Sequence, residues 1–304
     1  MSRQQRQDLD DMLRNAPKMA GDTVEQARTD FATLFDVPAP DGVTVRDTTL
    51  GGRPALELTP EGAGGDTVVL FLHGGGYVVG SPRTHAALAG ELARRARTRI
   101  VSLDYRLAPE HRFPAAVDDG LAAYRELLER GTSPAAIALA GDSAGGGLSV
   151  ATLLAAREAG LPMPAGAVLF SPWADLTLTG TSMEGKLGAD PIFVRADLEG
   201  YRTHYLGAGD PAAPLASPAL ADLTGLPPLL VQAGSNELLL DDSVRLAAGA
   251  GAAGVDVTLR VWGGLPHVFQ HHTALVEEAG QALDDAALFL SHAYRTAAAE
   301  PATA

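Results

Sequence analysis

The stretch Ile137-Ala-Leu-Ala-Gly-Asp-Ser-Ala-Gly-Gly-Gly-Leu-Ser-Val150 decides the fold, because it is typical of a buried strand, a sharp corner and the start of a helix. Four apolar residues end at Gly141, and a run of small and aliphatic residues begins at Gly145. Ser143 stands between these glycines in the pattern G-x-S-x-G, in which a serine hydroxyl projects from a strained strand-to-helix turn. The helix that follows favours negative charge at the same point. Ser143 is therefore a candidate nucleophile.

Segments on both sides of this corner alternate between strand and helix patterns. Apolar runs predict strands at 43–48, 54–59, 67–72, 100–103, 167–170, 228–233 and 255–262, and helical spacing predicts helices at 84–97, 113–130, 147–159, 241–253 and 274–298. The first two strands flank Leu50-Gly-Gly-Arg53, a hairpin signal. This order predicts an α/β fold whose mostly parallel central sheet is flanked by helices and opens with an antiparallel hairpin.

Two segments lie outside this alternation. Apolar residues at three-four spacing in 1–40 predict two amphipathic helices broken at Pro17, and 176–214 contains prolines and a helical segment near 195–206. Ligand sites in open α/β sheets lie at the carboxyl ends of the strands, where such insertions emerge. We therefore expect 1–40 and 176–214 to form a helical cap over a core made of 41–175 and 215–304.

Composition excludes several classes of function. The 304-residue chain carries a net charge of −14, which opposes binding to nucleic acid and to anionic membranes. It has no cysteine, so disulfides, thiolate chemistry and cysteine-ligated metals are excluded. The N-terminus is polar, and no apolar run approaches a membrane span. We expect a cytoplasmic protein without stable membrane association.

A second chemical motif, His73-Gly-Gly-Gly-Tyr77, follows the predicted strand at 67–72. Three successive glycines allow backbone N–H groups to turn towards a ligand without interference from a Cβ atom. Because the motif follows a central strand and precedes the serine corner, its position suits donors to an oxyanion.

With these motifs the chain resembles the hormone-sensitive-lipase-like esterases of the α/β-hydrolase fold. The resemblance spans from about Val43 to His272 and is carried by His73-Gly-Gly-Gly76, Tyr105-Arg-Leu-Ala-Pro-Glu110 with Phe113-Pro-Ala-Ala-Val-Asp-Asp119, Gly141-Asp-Ser-Ala-Gly-Gly146 and Leu265-Pro-His-Val-Phe269. It implies a hydrolase of carboxylic esters with a mobile cap, without a cofactor or a metal. It also implies that the oxyanion is held by the backbone N–H groups of Gly75, Gly76 and Ala144.

Residues around the motifs are expected to support the site. The resemblance implies that Tyr105, Arg106 and Glu110 brace the glycine loop. We expect His73 to orient the same loop by a hydrogen bond, and Asp142 to hold it in the same way.

The candidate base is His267, which lies in a loop after the predicted strand at 255–262 and so satisfies the chain order serine, acid, histidine. Its nearest rivals are His271 and His272, about one helical turn further along the chain.

The candidate acid is Glu237. Members of the family commonly carry an aspartate after the strand that corresponds to 229–233, and Glu237 is the aligned residue here. Its carboxylate can accept the same hydrogen bond from the histidine. Asp241 is the rival for this role, but with Asp242 it precedes a predicted helix, where we expect both carboxylates to cap free N–H groups.

Apolar residues near these motifs predict a site for an uncharged ester with a short to medium acyl chain. The candidate substrate contacts are Tyr77, Val78, Trp173, Leu176, Met183, Phe193, Tyr201, Tyr205, Leu265 and Phe269. A lactone hydrolase or an amidase would use the same three catalytic residues, so both remain alternatives. A ligand-binding member of the family without activity is disfavoured because serine, acid and histidine are all retained. The last predicted strand is a candidate sheet edge at which two copies would pair as a homodimer.

Overall fold

A twisted sheet forms the centre of the computed structural model, which describes residues 3–16 and 23–299. Within those ranges the sheet has eight strands in the order β1-β2-β4-β3-β5-β6-β7-β8. They are β1 (Val43–Leu50), β2 (Arg53–Pro60), β3 (Val68–Leu72), β4 (Arg99–Leu103), β5 (Ile137–Asp142), β6 (Gly166–Phe170), β7 (Leu229–Asn236) and β8 (Val257–Pro266). The pairs β1–β2 and β2–β4 are antiparallel and all others are parallel. The predicted sheet, with its opening hairpin, is confirmed.

Helices cover both faces of the sheet. The helices of the described residues are α1 (Arg3–Asn15), α2 (Val24–Phe35), α3 (Ala86–Ala96), α4 (Ala115–Glu129), α5 (Ala144–Glu158), α6 (Ser182–Gly185), α7 (Arg195–Leu206), α8 (Leu240–Ala252) and α9 (Glu277–Ala299). Of these, α4, α5 and α8 lie on one face of the sheet, and α3 and α9 lie on the other. Alternate residues of β3 enter different cores, since Val68, Leu70 and Leu72 pack with α4, α5 and α8, whereas Val69 and Phe71 pack with α3 and α9. This is the period of two expected for a strand buried on both faces. Among the described residues, no helix is long and apolar enough to cross a membrane.

Two boundaries differ from the prediction in a way that matters for the site. The helix predicted at 147–159 begins at Ala144, directly after Ser143. Glycines 145–147 have low helix propensity, but their complete burial shows that packing overrides it. The strand predicted to end at 262 continues to Pro266, so His267 follows it directly. The predicted break at Pro17 lies outside the described residues.

The first helix packs against the far edge of the sheet. Leu9 of α1 is fully buried in a cluster with Trp262, Leu265 and Phe269. Arg6 donates a hydrogen bond to the carbonyl oxygen of Gly263 and forms an ion pair with a glutamate in α9. The apolar spacing of α1 therefore reflects its contact with β8 and the segment that follows it.

Candidate active site

Ser143 occupies a strained turn between β5 and α5. Its backbone has φ 53° and ψ −122°, a combination that residues with a side chain rarely adopt. The N–H of Ser143 donates to the carbonyl oxygen of Phe170 at 2.8 Å, which ties the turn to β6. A Cβ atom on Gly145 would lie 1.9 Å from the carbonyl oxygen of Leu72, so only glycine fits there. The turn is thus pressed against the end of β3.

His267 and Glu237 form a buried pair. Nδ1 of His267 lies 2.5 Å from Oε2 of Glu237, and Oε1 of Glu237 accepts the N–H of Gly234 at 3.0 Å. Glu237 is fully buried, and His267 is 5% exposed. Because a carboxylate accepts, Nδ1 carries the hydrogen and Nε2 is left as the proton acceptor. Within the described residues, Nε2 of His267 has no hydrogen-bond partner.

This pairing changes the basicity of His267. Burial by itself lowers the pKa of the imidazole, but the hydrogen bond to Glu237 and the negative charge of that carboxylate outweigh it, so the pKa is raised above its ordinary value of 6.5. Asp190 and Asp142 add smaller contributions in the same direction. The arrangement favours a ring that accepts a proton readily.

Asp241 and Asp242, the two aspartates that follow Glu237, bind segments remote in sequence and do not cap α8 as predicted. Oδ2 of Asp241 accepts the hydroxyl of Thr181 and the N–H of Ser182, and Oδ2 of Asp242 accepts the N–H groups of Ala174 and Asp175. The predicted capping of their own helix is wrong, because α8 has no side-chain cap. Both carboxylates instead fasten the segment after β6 to α8.

Three N–H groups near Ser143 are free to donate. Gly75 and Gly76 have φ of 115° and 60°, and Ala144 is the first residue of α5. Within the described part of the chain, none of the three N–H groups has an acceptor. A Cβ atom on Gly76 would come within 2.7 Å of the Tyr201 ring, so α7 packs directly on the glycine loop.

Side chains of Asp142, His73 and Tyr105 fix the position of the glycine loop. Oδ1 of Asp142 accepts the N–H of Gly74 at 3.0 Å, and Nδ1 of His73 contacts the carbonyl oxygen of Gly74 at 2.7 Å. The hydroxyl of Tyr105 donates to the carbonyl oxygen of His73 at 2.7 Å, and the two rings stack at 4.2 Å. These contacts hold the loop at the end of β3.

Glu110 is connected to the segment after the glycine loop through Arg28 of α2. Arg106 makes no such connection among the described contacts. Arg28 pairs with Glu110 and donates to the carbonyl oxygen of Val78. Arg106 pairs with Asp119 in α4 instead, so it secures the segment after β4.

A narrow cavity of about 70 Å³ contains the serine and the histidine. Its lining residues are Leu13, Phe31, Phe35, Gly75, Gly76, Val79, His85, Asp142, Ser143, Trp173, Ile192, Phe193, Leu198, Tyr201, His267, Val268, His271 and His272. The lining is therefore mainly apolar, and it comes from the core, from α1 and α2, and from the segment around α7.

The structure divides the predicted substrate contacts into three groups. Trp173, Phe193 and Tyr201 line the cavity, and Val78 lines a neighbouring cavity between α2 and α7. The other six pack in the buried core and are not among the lining residues: Tyr77, Leu176, Met183, Tyr205, Leu265 and Phe269. Tyr77 and Tyr205 stack on each other at 3.8 Å, which accounts for their burial.

Several lining residues were not identified from the sequence. Phe31 and Phe35 come from α2, and Leu13 comes from α1. Their three-four spacing marks an apolar face, but it does not reveal that part of this face lines a cavity. The motif residues carry a local signal that these side chains lack.

Asp190 connects the insertion at 176–214 to the loop that carries Glu237, called the acid loop below. Its Oδ1 accepts the N–H groups of Ile192 and Phe193 at 2.8 and 3.0 Å, and its Oδ2 accepts the N–H of Leu238 at 2.8 Å. Leu238 follows Glu237, and the ring of Phe193 lies edge-on to His267 with centroids 5.3 Å apart. One buried carboxylate thus positions a cavity wall relative to the histidine and its acid.

Comparison with known proteins relates this chain to a large group. A family described as having the alpha/beta hydrolase fold matches residues 69–271. An acetyl-hydrolase of Streptomyces hygroscopicus is 45% identical over 276 residues, 91% of this chain and 89% of that protein. An esterase of Acinetobacter venetianus is 39% identical over 248 residues, 81% of this chain and 82% of that protein. A crystal structure of an esterase from the bacterial hormone-sensitive lipase family aligns with a TM-score of 0.93 at 44% identity, covering 97% and 99% of the two chains.

The Asp190→Asn variant tests the connection between insertion and acid loop. An amide cannot accept from both sides, so one set of N–H groups loses its acceptor, and the negative charge that helps to raise the pKa of His267 disappears. We expect kcat/KM for p-nitrophenyl acetate to fall by about 10- to 100-fold, with the acid limb of the pH profile moved to lower pH.

The matched control is Asp197→Asn, which removes a carboxylate that accepts the N–H of Val194 at the start of α7 and acts on Tyr201 rather than on His267. It should keep the acid limb of the natural protein. If Asp190→Asn lowers the melting temperature but leaves the acid limb in place, its role is structural only.

Proposed function

The chain belongs to the α/β-hydrolase family and is a carboxylic-ester hydrolase of its hormone-sensitive-lipase-like branch, and we propose that it cleaves uncharged esters with short to medium acyl chains through Ser143, Glu237 and His267. The observation that carries this proposal is the 2.5 Å contact between Glu237 and His267 at the cavity that also contains Ser143. The geometry supports a serine, a base and an acid in the order that the fold requires.

Acylation begins at the serine. Nε2 of His267 takes the hydroxyl proton while Oγ of Ser143 bonds to the ester carbonyl carbon, and the carbonyl electron pair moves to its oxygen. The imidazolium that forms is stabilised by Glu237. It then gives its proton to the leaving alcohol as the carbon–oxygen bond breaks, and the acyl group remains on Ser143.

Deacylation repeats these steps with water. His267 removes a proton from water, the hydroxide attacks the acyl carbonyl, and Ser143 leaves with the proton returned by the imidazolium. The products are a carboxylic acid and an alcohol, and the three side chains regain their starting protonation states.

The oxyanion formed in both steps needs donors that are already aligned. The N–H groups of Gly75, Gly76 and Ala144 suit this role because none has an acceptor within the described residues and all adjoin Ser143 or the glycine loop. Loss of one such donor raises a barrier by about 3–4 kcal/mol. Asp142 and Tyr105 support the donors indirectly by holding the loop.

The cavity favours an uncharged substrate with a small acyl group. Its described lining contains aromatic and aliphatic side chains and no lysine or arginine to pair with an anionic group. The net charge of −14 disfavours anionic esters further. The narrow volume supports short chains over long ones.

The segments 1–40 and 176–214 are proposed to act as the mobile cap over the core of 41–175 and 215–304. Both contribute cavity walls, through Phe31 and Phe35 of α2 and through Phe193 and Tyr201 of the insertion. Movement of these walls would admit the ester and then exclude water.

Initial rates with p-nitrophenyl acetate, butyrate, hexanoate and laurate test the proposed activity. We expect the highest kcat/KM among the shorter esters and a fall of at least about tenfold at laurate, because the additional methylenes do not fit the cavity. Ser143→Ala should abolish turnover of every ester. A protein that hydrolyses none of these esters but opens lactones, or cleaves anilides, would instead be a lactone hydrolase or an amidase.

Glu237→Gln tests the acid and the pH dependence together. In the natural protein the raised pKa of His267 places the acid limb of the rate profile above pH 6.5, since only the neutral ring accepts a proton. The variant retains burial but loses the carboxylate, so kcat should fall by about 10³-fold or more and the limb should move to lower pH.

Asp241→Asn is the control for this variant, because its carboxylate binds Thr181 and Ser182 rather than the histidine. It should retain the natural limb and remain within a few-fold of the natural rate. Equal losses in both variants would contradict the role of Glu237.

A homodimer is proposed to form along β8, which lies at the end of the sheet and pairs only with β7 within the described strands. Val261 on this strand is 42% exposed, and an open strand edge pairs readily with a second copy. Sedimentation at micromolar concentration should show a dimer that Val261→Lys dissociates. A monomeric natural protein under these conditions would contradict the proposal.

A further inference from the structure

Three ionisable side chains that the proposed hydrolysis does not use directly lie together beside the nucleophile. His85 precedes α3, Asp142 ends β5 and His271 lies in the short helical turn at Phe269–His272. One ligand atom from each lies within 4.8 Å of the other two. Nε2 of His85 is 3.3 Å from Oδ2 of Asp142, and Nε2 of His271 is 3.9 Å from the same oxygen.

The contacts of His85 favour the tautomer in which Nε2, the nitrogen that faces the carboxylate, carries the lone pair. Nδ1 lies 3.2 Å from the carbonyl oxygen of Ser81 and 2.9 Å from Oγ1 of Thr84. A carbonyl oxygen only accepts, so the contact with Ser81 favours a hydrogen on Nδ1, whereas the hydroxyl of Thr84 can donate to this nitrogen or accept from it. The N–H of Gly74 donates to Nε2 at 3.2 Å, as expected for a nitrogen with a free lone pair.

In this tautomer His85 directs a lone pair at a carboxylate oxygen. Oδ1 of Asp142 already accepts the N–H of Gly74, but Oδ2 contacts only the two imidazole nitrogens among the described polar atoms. Two acceptors in contact repel each other, and either a proton or a metal ion between them removes that repulsion. The three atoms thus surround a point that favours positive charge.

The surroundings of the cluster suit a metal ion. His85 is stacked with Phe31 at 6.0 Å between centroids, and Phe35 lies edge-on to His271 at 5.4 Å. His85 and Asp142 are buried, while the side chain of His271 is 11% exposed and lines the cavity. The aromatic wall limits water, and the cavity provides an entry path.

We propose that His85, Asp142 and His271 form a binding site for Zn²⁺ or a similar divalent transition metal. Two imidazole nitrogens and one carboxylate oxygen are ligands that zinc prefers, whereas magnesium and calcium favour oxygen alone. The hydrogen bond from Nδ1 of His85 to a backbone carbonyl is the usual orienting contact of a metal-bound histidine.

The spacing of the ligand atoms agrees with this choice. Zinc–nitrogen and zinc–oxygen bonds of about 2.0–2.1 Å in a tetrahedral site place neighbouring ligand atoms about 3.3 Å apart. The His85–Asp142 pair already has this separation, whereas Nε2 of His271 lies 3.9 Å from Oδ2 of Asp142 and the three ligand atoms lie within 4.8 Å of one another, so the ring of His271 has to move closer to both partners. Three protein ligands leave a fourth position for water or a cavity ligand.

Metal binding would act on the neighbouring serine corner. Asp142 directly precedes Ser143 and holds Gly74 of the glycine loop, and all three ligands line the cavity. An ion on Oδ2 with its water would narrow that cavity. Zinc is therefore expected to inhibit ester hydrolysis, although binding itself does not depend on the proposed activity.

Zinc titration of untagged, chelator-treated protein tests the site. Isothermal titration calorimetry with zinc chloride, together with metal analysis after dialysis, should give one ion per chain. Replacement by Co²⁺ should give the visible absorption of a four-coordinate ion with nitrogen and oxygen ligands. Magnesium should give no binding heat. Ser143→Ala should bind zinc as the natural protein does, so the outcome is independent of whether esters are cleaved.

Three histidine variants separate the cluster from its neighbours. His271→Gln removes one proposed ligand and should weaken zinc binding by at least about 100-fold, since loss of an orienting partner alone costs 10- to 100-fold. His272→Gln and His267→Gln should retain binding, because neither belongs to the cluster. Circular dichroism checks that each variant is folded.

Two results would overturn the site. If the natural protein does not bind zinc, the point between His85 and Asp142 is occupied by a proton on the imidazole. If His267→Gln abolishes binding while His271→Gln retains it, the ion binds to the histidine paired with Glu237.

Discussion

The close approach of the serine corner to the end of β3 is the constraint on which the rest of the site depends. The backbone of α5 at Gly145 lies so near the carbonyl oxygen of Leu72 that no side chain fits between them. Because His73 and the glycine loop follow Leu72 directly, this contact also sets the distance between the serine and the free N–H groups. Two segments that are about seventy residues apart in sequence are thus assembled by one backbone contact between the start of α5 and the end of β3.

Burial and pairing act in opposite directions on the histidines around the cavity, and the pairing with Glu237 distinguishes one of them. Burial lowers the pKa of His73 to about 3 and that of His272 to about 4, so both rings stay neutral. His271 is lowered as well, although Asp142 is nearby. Of these four histidines, His267 has its ring nitrogen 2.5 Å from a buried carboxylate, and its pKa is raised. Basicity in this cavity is therefore assigned by a specific partner rather than by exposure.

Sequence reasoning succeeded where a function depends on local pattern and was weaker where it depends on distant contacts. The sheet, the serine corner and the glycine loop follow from apolar runs and glycines at fixed positions, and the fold is confirmed. The contacts of Asp241 and Asp242 were predicted wrongly, because a carboxylate at a helix start can also bind a segment that is remote in sequence. Asp190 was not identified for the same reason, since its bond to Leu238 spans the insertion. The cytoplasmic location stays a prediction.

Helix α2 connects the segments that follow the glycine loop and β4 to the cavity wall that covers His85 and His271. Arg28 donates to the carbonyl oxygens of Val78 and Ala108 and pairs with Glu110, so the helix is fastened to the segments that follow the glycine loop and β4. One and two turns further along, Phe31 and Phe35 cover His85 and His271 and also line the cavity. A displacement of α2 that admits substrate must therefore break the Arg28 contacts and expose the histidine cluster at the same time. We therefore expect an ester and a metal ion to enter through the same opening beside α2.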